Sequence, residues 1–160
     1  NELAQLCSLD SKTVEKYVIL LEQSYVIFRL NSFSRNLRNE LKTSKKIYFY
    51  DNGIRNALIA NFNQIEGRAD RGALWENFLI SERKKFLEYN RLWGNSWFWR
   101  TKEQKEIDLV EERDGKITGY EFKWNPDQKV KIPRLFLDSY ENSDFQVIHR
   151  DNCDSFLLEY

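Results

Sequence analysis

A chain of 160 residues, 41% apolar and 15% aromatic, can bury the core of one ordinary domain or of two small ones. Its charged residues, 31% of the total, cancel to a formal net charge of zero, so whole-molecule electrostatics do not point to nucleic acid. No apolar run approaches the ~20 residues that cross a bilayer, and two cysteines at opposite ends exclude a disulfide framework or a zinc pattern. With no signal peptide visible, a cytoplasmic protein without a membrane partner is expected.

The chain opens at Asn1 inside what reads as a helix and contains no methionine, as expected of a fragment of a longer protein. Asp10 or Ser11 offers an N-cap for a second helix, in which Val14, Tyr17, Val18 and Leu21 recur on one face. After Ser24 the pattern turns extended over Tyr25–Leu30. A polar loop then leads to a second strand, "KIYFYD" (46–51). Residues 1–50 carry 8 Lys/Arg against 5 Asp/Glu, and the stretch from Arg29 to Lys46 holds six cations and one acid. Helix–turn–helix followed by two strands around a basic loop outlines a winged helix. Lys12, Thr13 and Lys16 on the second helix and Arg35, Arg38 and Lys42 in the loop are then the candidate DNA contacts. The same outline also suits a helical dimerisation or docking module.

"DNGIRNALIANF" (51–62) begins with capping residues and continues as a short helix, and "NQIEGRADRG" is a polar break. Two domains are expected, 1–62 and 63–160. A longer helix follows over 73–89, with Leu74, Trp75, Phe78, Leu79 and Phe86 as its apolar stripe. "SWFWR" (96–100) is a strand, and Arg100 at its end is suited to reach a phosphate or to pair with an acid. Trp97 and Trp99 on this strand read as core or domain contact. A helix around Pro133 and a last strand over 145–150 complete the order helix, three strands, helix, strand. His149, the only histidine, reads as structural or exposed.

"EIDLVEERDGKITGYEFKW" (106–124) is a hairpin with Asp114-Gly115 as its turn. That register sets Asp108 opposite Glu121 and Glu106 opposite Lys123 on one face, with Ile107, Leu109, Tyr120 and Phe122 behind them on the face that meets the core. Two carboxylates roughly 5 Å apart repel by about 3 kcal/mol at an effective dielectric near 20. A hard divalent cation relieves that repulsion, polarises a phosphate oxygen and acidifies a bound water. Lys123 projects from the same face and can orient the water or stabilise developing charge. The same residues also suit an ordinary charged surface with a Glu106–Lys123 ion pair.

The element order, with Asp on the second strand and Glu-x-Lys on the third, resembles the αβββαβ core of the PD-(D/E)XK nuclease superfamily, with Ile107 where the family name has Pro. The whole chain further resembles the uncharacterised domain found C-terminal to prokaryotic AAA-type ATPase cores, through "TVEKYVILLE", "KIYFYDNGIRNAL", "GALWENFLISE", "FWRTKEQKEIDLV" and "YEFKW". The resemblance implies an α+β or α/β chain: an N-terminal winged helix, then a restriction-endonuclease-like core. It also implies a preceding ATPase domain that binds ATP, provides a partner surface and allows oligomers. Carried over, it makes Asp108, Glu121 and Glu76 the Mg²⁺ or Mn²⁺ ligands and Lys123 the catalytic lysine, acting on DNA. A catalytically silent, nuclease-derived module binding DNA or protein is the alternative. A winged-helix transcription factor with a sensory domain is a third.

Overall fold

A computed structural model describes residues 2–35 and 44–158. The expected DNA contacts Arg38 and Lys42 lie outside the described residues. The described chain is mixed α+β, with six α-helices and two sheets.

The N-terminal part holds α1 (Glu2–Leu6), α2 (Ser11–Gln23), β1 (Ile27–Asn31), β2 (Lys45–Phe49) and α3 (Asn52–Leu58). Asp10 caps α2 by accepting the N–H groups of Lys12 and Thr13, both at 3.0 Å. The expected apolar face of α2 is only partly used. Val18 is buried, whereas Tyr17 and Leu21 stay exposed, because among the described elements α2 packs mainly on short α1 and on β1. β1 and β2 form an antiparallel ribbon running from Ile27↔Phe49 to Asn31↔Lys45.

From α4 (Arg71–Tyr89) onward the order is helix, three strands, helix, strand, as the sequence predicts: β3 (Asn95–Arg100), β4 (Glu106–Arg113), β5 (Lys116–Phe122), α5 (Arg134–Ser139) and β6 (Ser143–Ile148). A last helix, α6 (Cys153–Leu158), was not expected from the sequence. β3, β4 and β5 form an antiparallel meander, and β6 joins β5 in parallel. This sheet is covered on both sides. Trp75, Leu79 and Ile80 of α4 and Phe156 of α6 pack with Phe98, Leu109, Tyr120 and Phe122 on one face. On the other, Phe136 and Tyr140 pack with Trp99, Ile107, Val110 and Ile117. The α4 stripe differs accordingly: Ile80 and Leu87 are buried, and Phe78 is exposed.

Asp114 (φ 51°) and Gly115 (φ 75°) both take the left-handed conformation that a two-residue hairpin turn requires. The expected register holds from Arg113↔Lys116 to Leu109↔Tyr120. It does not continue as a ladder beyond that point, and one expectation fails there. Ile107 packs on the opposite face of the sheet from Leu109, Tyr120 and Phe122. The cause is a bulge: Trp97 pairs with Val110 but Trp99 with Ile107, so Asp108 and Leu109 together face Phe98 alone.

The two halves share a core. Phe28, Leu30 and Tyr48 of the first ribbon join the α4 face. Asn77 of α4 grips β2 through Phe49, accepting its N–H at 2.8 Å and donating to its carbonyl at 2.9 Å. Phe33 N–H donates to the Phe98 carbonyl at 2.6 Å, so the chain leaving β1 adds to the edge of β3.

Candidate functional site

The bulge on β4 turns Asp108 away from the regular alternation, and the strand pair closes around its side chain. The Asp108 carboxylate accepts the Phe122 N–H at 2.9 Å, taking the place of a ladder carbonyl. Its side chain is almost wholly buried. Burial, then the charges of Glu76 and Glu121, push its pKa up to about 7, against the Phe122 hydrogen bond and Lys46, which pull it down. Asp108 thus senses both acids from neighbouring elements, Glu76 on α4 and Glu121 on β5.

The cations are distributed differently from the hairpin expectation. Glu106 does not pair with Lys123. It binds Lys46 through one carboxylate oxygen and Arg100 through the other. Lys123 instead donates to Glu121 at 2.6 Å. The longer reach of Lys123 back along its own strand, and the competing cations on β2 and β3, explain the exchange.

Lys46 is the residue that the sequence did not reveal. Its Nζ lies 3.0 Å from Glu76 Oε1 and 3.9 Å from Asp108 Oδ1, and also pairs with Glu106. Burial draws this ammonium down, but Glu76, Glu106 and Asp108 more than reverse that, and its pKa stands above the ordinary lysine value. Tyr48, two residues on, donates to the same Glu76 oxygen at 2.7 Å. Burial and then Glu76 push that phenol far up, so it remains a hydrogen-bond donor. The signal for both was the alternation in "KIYFY": Lys46 and Tyr48 share a side of β2, so a buried Tyr48 draws Lys46 inward with it.

Four carboxylates (Glu76, Glu106, Asp108 and Glu121) therefore meet three cations (Lys46, Arg100 and Lys123). The cluster is thus one positive charge short, and Asp108, the buried acid beside Glu76 and Glu121, is the one whose pKa rises. Hard oxygen donors with surplus negative charge suit Mg²⁺ or Mn²⁺. As the side chains stand, no group of three acids among the described residues is arranged to hold a metal ion. The positive charge amid Glu76, Glu106 and Asp108 is the Lys46 ammonium.

Residues 71–153 match the domain of unknown function DUF4143, just over half of the chain. The chain belongs to this family. DUF4143 is a domain found in AAA-ATPase-associated proteins. Residues 1–65 match a second domain of unknown function, DUF8612. The chain is similar to Uncharacterized protein Rv2008c of Mycobacterium tuberculosis and Uncharacterized protein Mb2031c of Mycobacterium bovis, each 29% identical over 124 residues. Those alignments cover 76% of this chain and 27% of each relative, so the chain corresponds to a small part of either. No solved structure matches it. Glu76, Glu106, Asp108, Glu121 and Lys123 all lie in the DUF4143 stretch, whereas Lys46 and Tyr48 reach the site from the DUF8612 stretch.

Of the remaining candidate residues that are described, Arg100 joins this cluster and the others lie apart from it. Lys12 and Lys16 are exposed on α2, and Thr13 is half-buried there. Arg35 pairs with Glu112 and lies over the Phe33 ring. Arg100 is drawn to Glu106. His149 is half-buried, and its N–H donates to Asn152 at 2.7 Å. No described helix is long and apolar enough to cross a membrane.

Proposed function

We propose that this chain is the C-terminal part of a prokaryotic AAA-type ATPase, with a winged helix over residues 1–62 and a PD-(D/E)XK-like domain over 63–160 that hydrolyses DNA phosphodiesters with Mg²⁺ or Mn²⁺. One observation carries the proposal. A helix acid, Glu76, and a third-strand acid, Glu121, both act on the second-strand acid, Asp108, at one end of the β4–β5 pair, with Lys123 paired to Glu121. The helix, three-strand, helix, strand order supports the same reading.

Asp108, Glu121 and Glu76 would hold the divalent ion, which supplies Lewis-acid polarisation of a phosphate oxygen and a more acidic bound water. The chain's own residues do the rest. Glu121 holds the Lys123 ammonium in place, where it stabilises negative charge developing on the phosphate. Burial of Asp108 against the bulge fixes its carboxylate and keeps bulk water from it. Tyr48 stays protonated and orients Glu76. Lys46 shares the carboxylates that would bind the ion, so ion binding and the Lys46 contact compete.

The test is cleavage of single- and double-stranded DNA in Mg²⁺ or Mn²⁺. Wild type should cut, and Lys123→Ala should lose most of the rate. Cleavage that survives both Asp108→Ala and Lys123→Ala overturns the proposal.

A second reading has an observation of its own. Lys46 and Tyr48 together occupy one oxygen of Glu76, and Lys46 partly neutralises the acids without a metal. A catalytically silent module that positions its ATPase on DNA or protein is consistent with that arrangement. It predicts metal-independent binding and no cleavage by wild type.

A further inference from the structure

A cleft of about 480 Å³ opens beside Glu121 and Lys123, between the end of β5 and the stretch 129–135 that leads into α5. Its charge differs in kind from the acidic cluster next to it. Both acids in its lining are already engaged, Glu106 by Lys46 and Arg100 and Glu121 by Lys123. Four cations in the same lining, Lys105, Lys129, Lys131 and Arg134, are exposed and form no ion pair among the described residues. The cleft therefore presents about four uncompensated positive charges to solvent.

This contrasts with the basic stretch around the first ribbon. There Arg29 is committed to Glu15 and Glu22, Arg35 to Glu112, and Lys46 to the acidic cluster. Composition had pointed to that stretch, but its described arginines are held by the protein itself. Lys129 and Lys131 alternate with Val130 and exposed Ile132, so one wall offers charge and apolar surface in turn. A phosphodiester backbone carrying sugars and bases meets both.

We propose that this cleft seats the backbone of a nucleic-acid strand, with Lys105, Lys129, Lys131 and Arg134 on its phosphates, and delivers it to Glu121 and Lys123. The proposal deepens the hydrolytic reading and rests on it for the direction of the strand. Four phosphate contacts released from counterions give a slope of about −3 in log K against log salt for a single strand.

The experiment is fluorescence anisotropy with a labelled oligothymidylate over a salt series, in EDTA, on the full chain. Lys129→Glu/Lys131→Glu changes two exposed side chains, and circular dichroism melting checks that it folds as wild type does. Wild type should bind with the slope above. The double variant should bind roughly 25-fold more weakly at 0.1 M salt, with the slope reduced by about 1.4. Unchanged affinity and slope in the variant overturn the proposal. So does equally tight binding of polyglutamate by wild type, or loss of binding confined to Lys12→Glu/Lys16→Glu. The chelator separates the two readings. Cleft-dependent binding without cleavage in Mn²⁺ sinks hydrolysis alone, and cleavage indifferent to the double variant sinks the cleft alone.

Discussion

Replacing Asp108 by Asn should make the protein more stable at neutral pH. Burial, and then the charges of Glu76 and Glu121, raise the pKa of this carboxylate to about 7 from the ordinary 3.8. The folded state thus holds a proton that the unfolded state releases between about pH 4 and 7. Stability from this group is full below that window, is lost as pH rises through it, and stays low above pH 7. The whole window corresponds to about 4 kcal/mol at 1.36 kcal/mol per pH unit. Asn keeps an oxygen to accept the Phe122 N–H and carries no charge, so Asp108→Asn recovers most of that energy at pH 7.5. At roughly 2–4 °C per kcal/mol, the melting temperature should rise by about 10 °C. At pH 5 the wild-type carboxyl is mostly protonated when folded, and the difference should shrink to less than half of its value at pH 7.5. Thermal melts of both proteins across pH 4.5–8 measure this. A variant no more stable at pH 7.5, or a gap that does not narrow toward pH 5, refutes the description of Asp108 as a carboxylate held under electrostatic pressure.

Arg83 binds Glu111 through two hydrogen bonds of 3.0 and 3.1 Å and donates to the Phe156 carbonyl at 2.6 Å, all buried. Arg83→Met leaves Glu111 charged and unpaired and should cost about 3–5 kcal/mol in urea denaturation. Gly119→Ala sets a Cβ 3.2 Å from Ile107 and 3.3 Å from Phe136, and should destabilise by about 1–3 kcal/mol in the same assay through overpacking between β5 and α5. Lys46→Met removes the ammonium from Glu76, Glu106 and Asp108. Its melting temperature should fall, and millimolar Mn²⁺ should restore more of it than Mn²⁺ adds to wild type; an equal Mn²⁺ effect on both proteins contradicts competition for the same carboxylates.

Much of this site was legible because its parts are local. The Asp114-Gly115 turn sets the register of the five residue pairs beyond it, and that brings Asp108 toward Glu121 without knowledge of the rest. What the residues could not reveal is the bulge. Its signal is a mismatch between β3 and β4 in which two residues face one, and nothing in "EIDLV" marks that choice. Consequently strict alternation puts Ile107 on the face it leaves. Lys46 was missed for another reason: it lies 30 residues from Glu76 and 62 from Asp108 in sequence. Only docking of the first ribbon on α4, through Phe28, Leu30, Tyr48 and Asn77, brings it to the acids. The same docking leaves Tyr17 and Leu21 of the α2 stripe exposed, since helical periodicity reports an apolar face and not whether anything covers it.

Electron paramagnetic resonance of Mn²⁺ titrated into wild type and Asp108→Asn tests the central proposal most directly. A divalent-cation site made by Glu76, Asp108 and Glu121 predicts stoichiometric loss of the free Mn²⁺ signal with wild type and a much weaker loss with Asp108→Asn. Free Mn²⁺ that is undiminished by wild type, or diminished equally by both proteins, contradicts it.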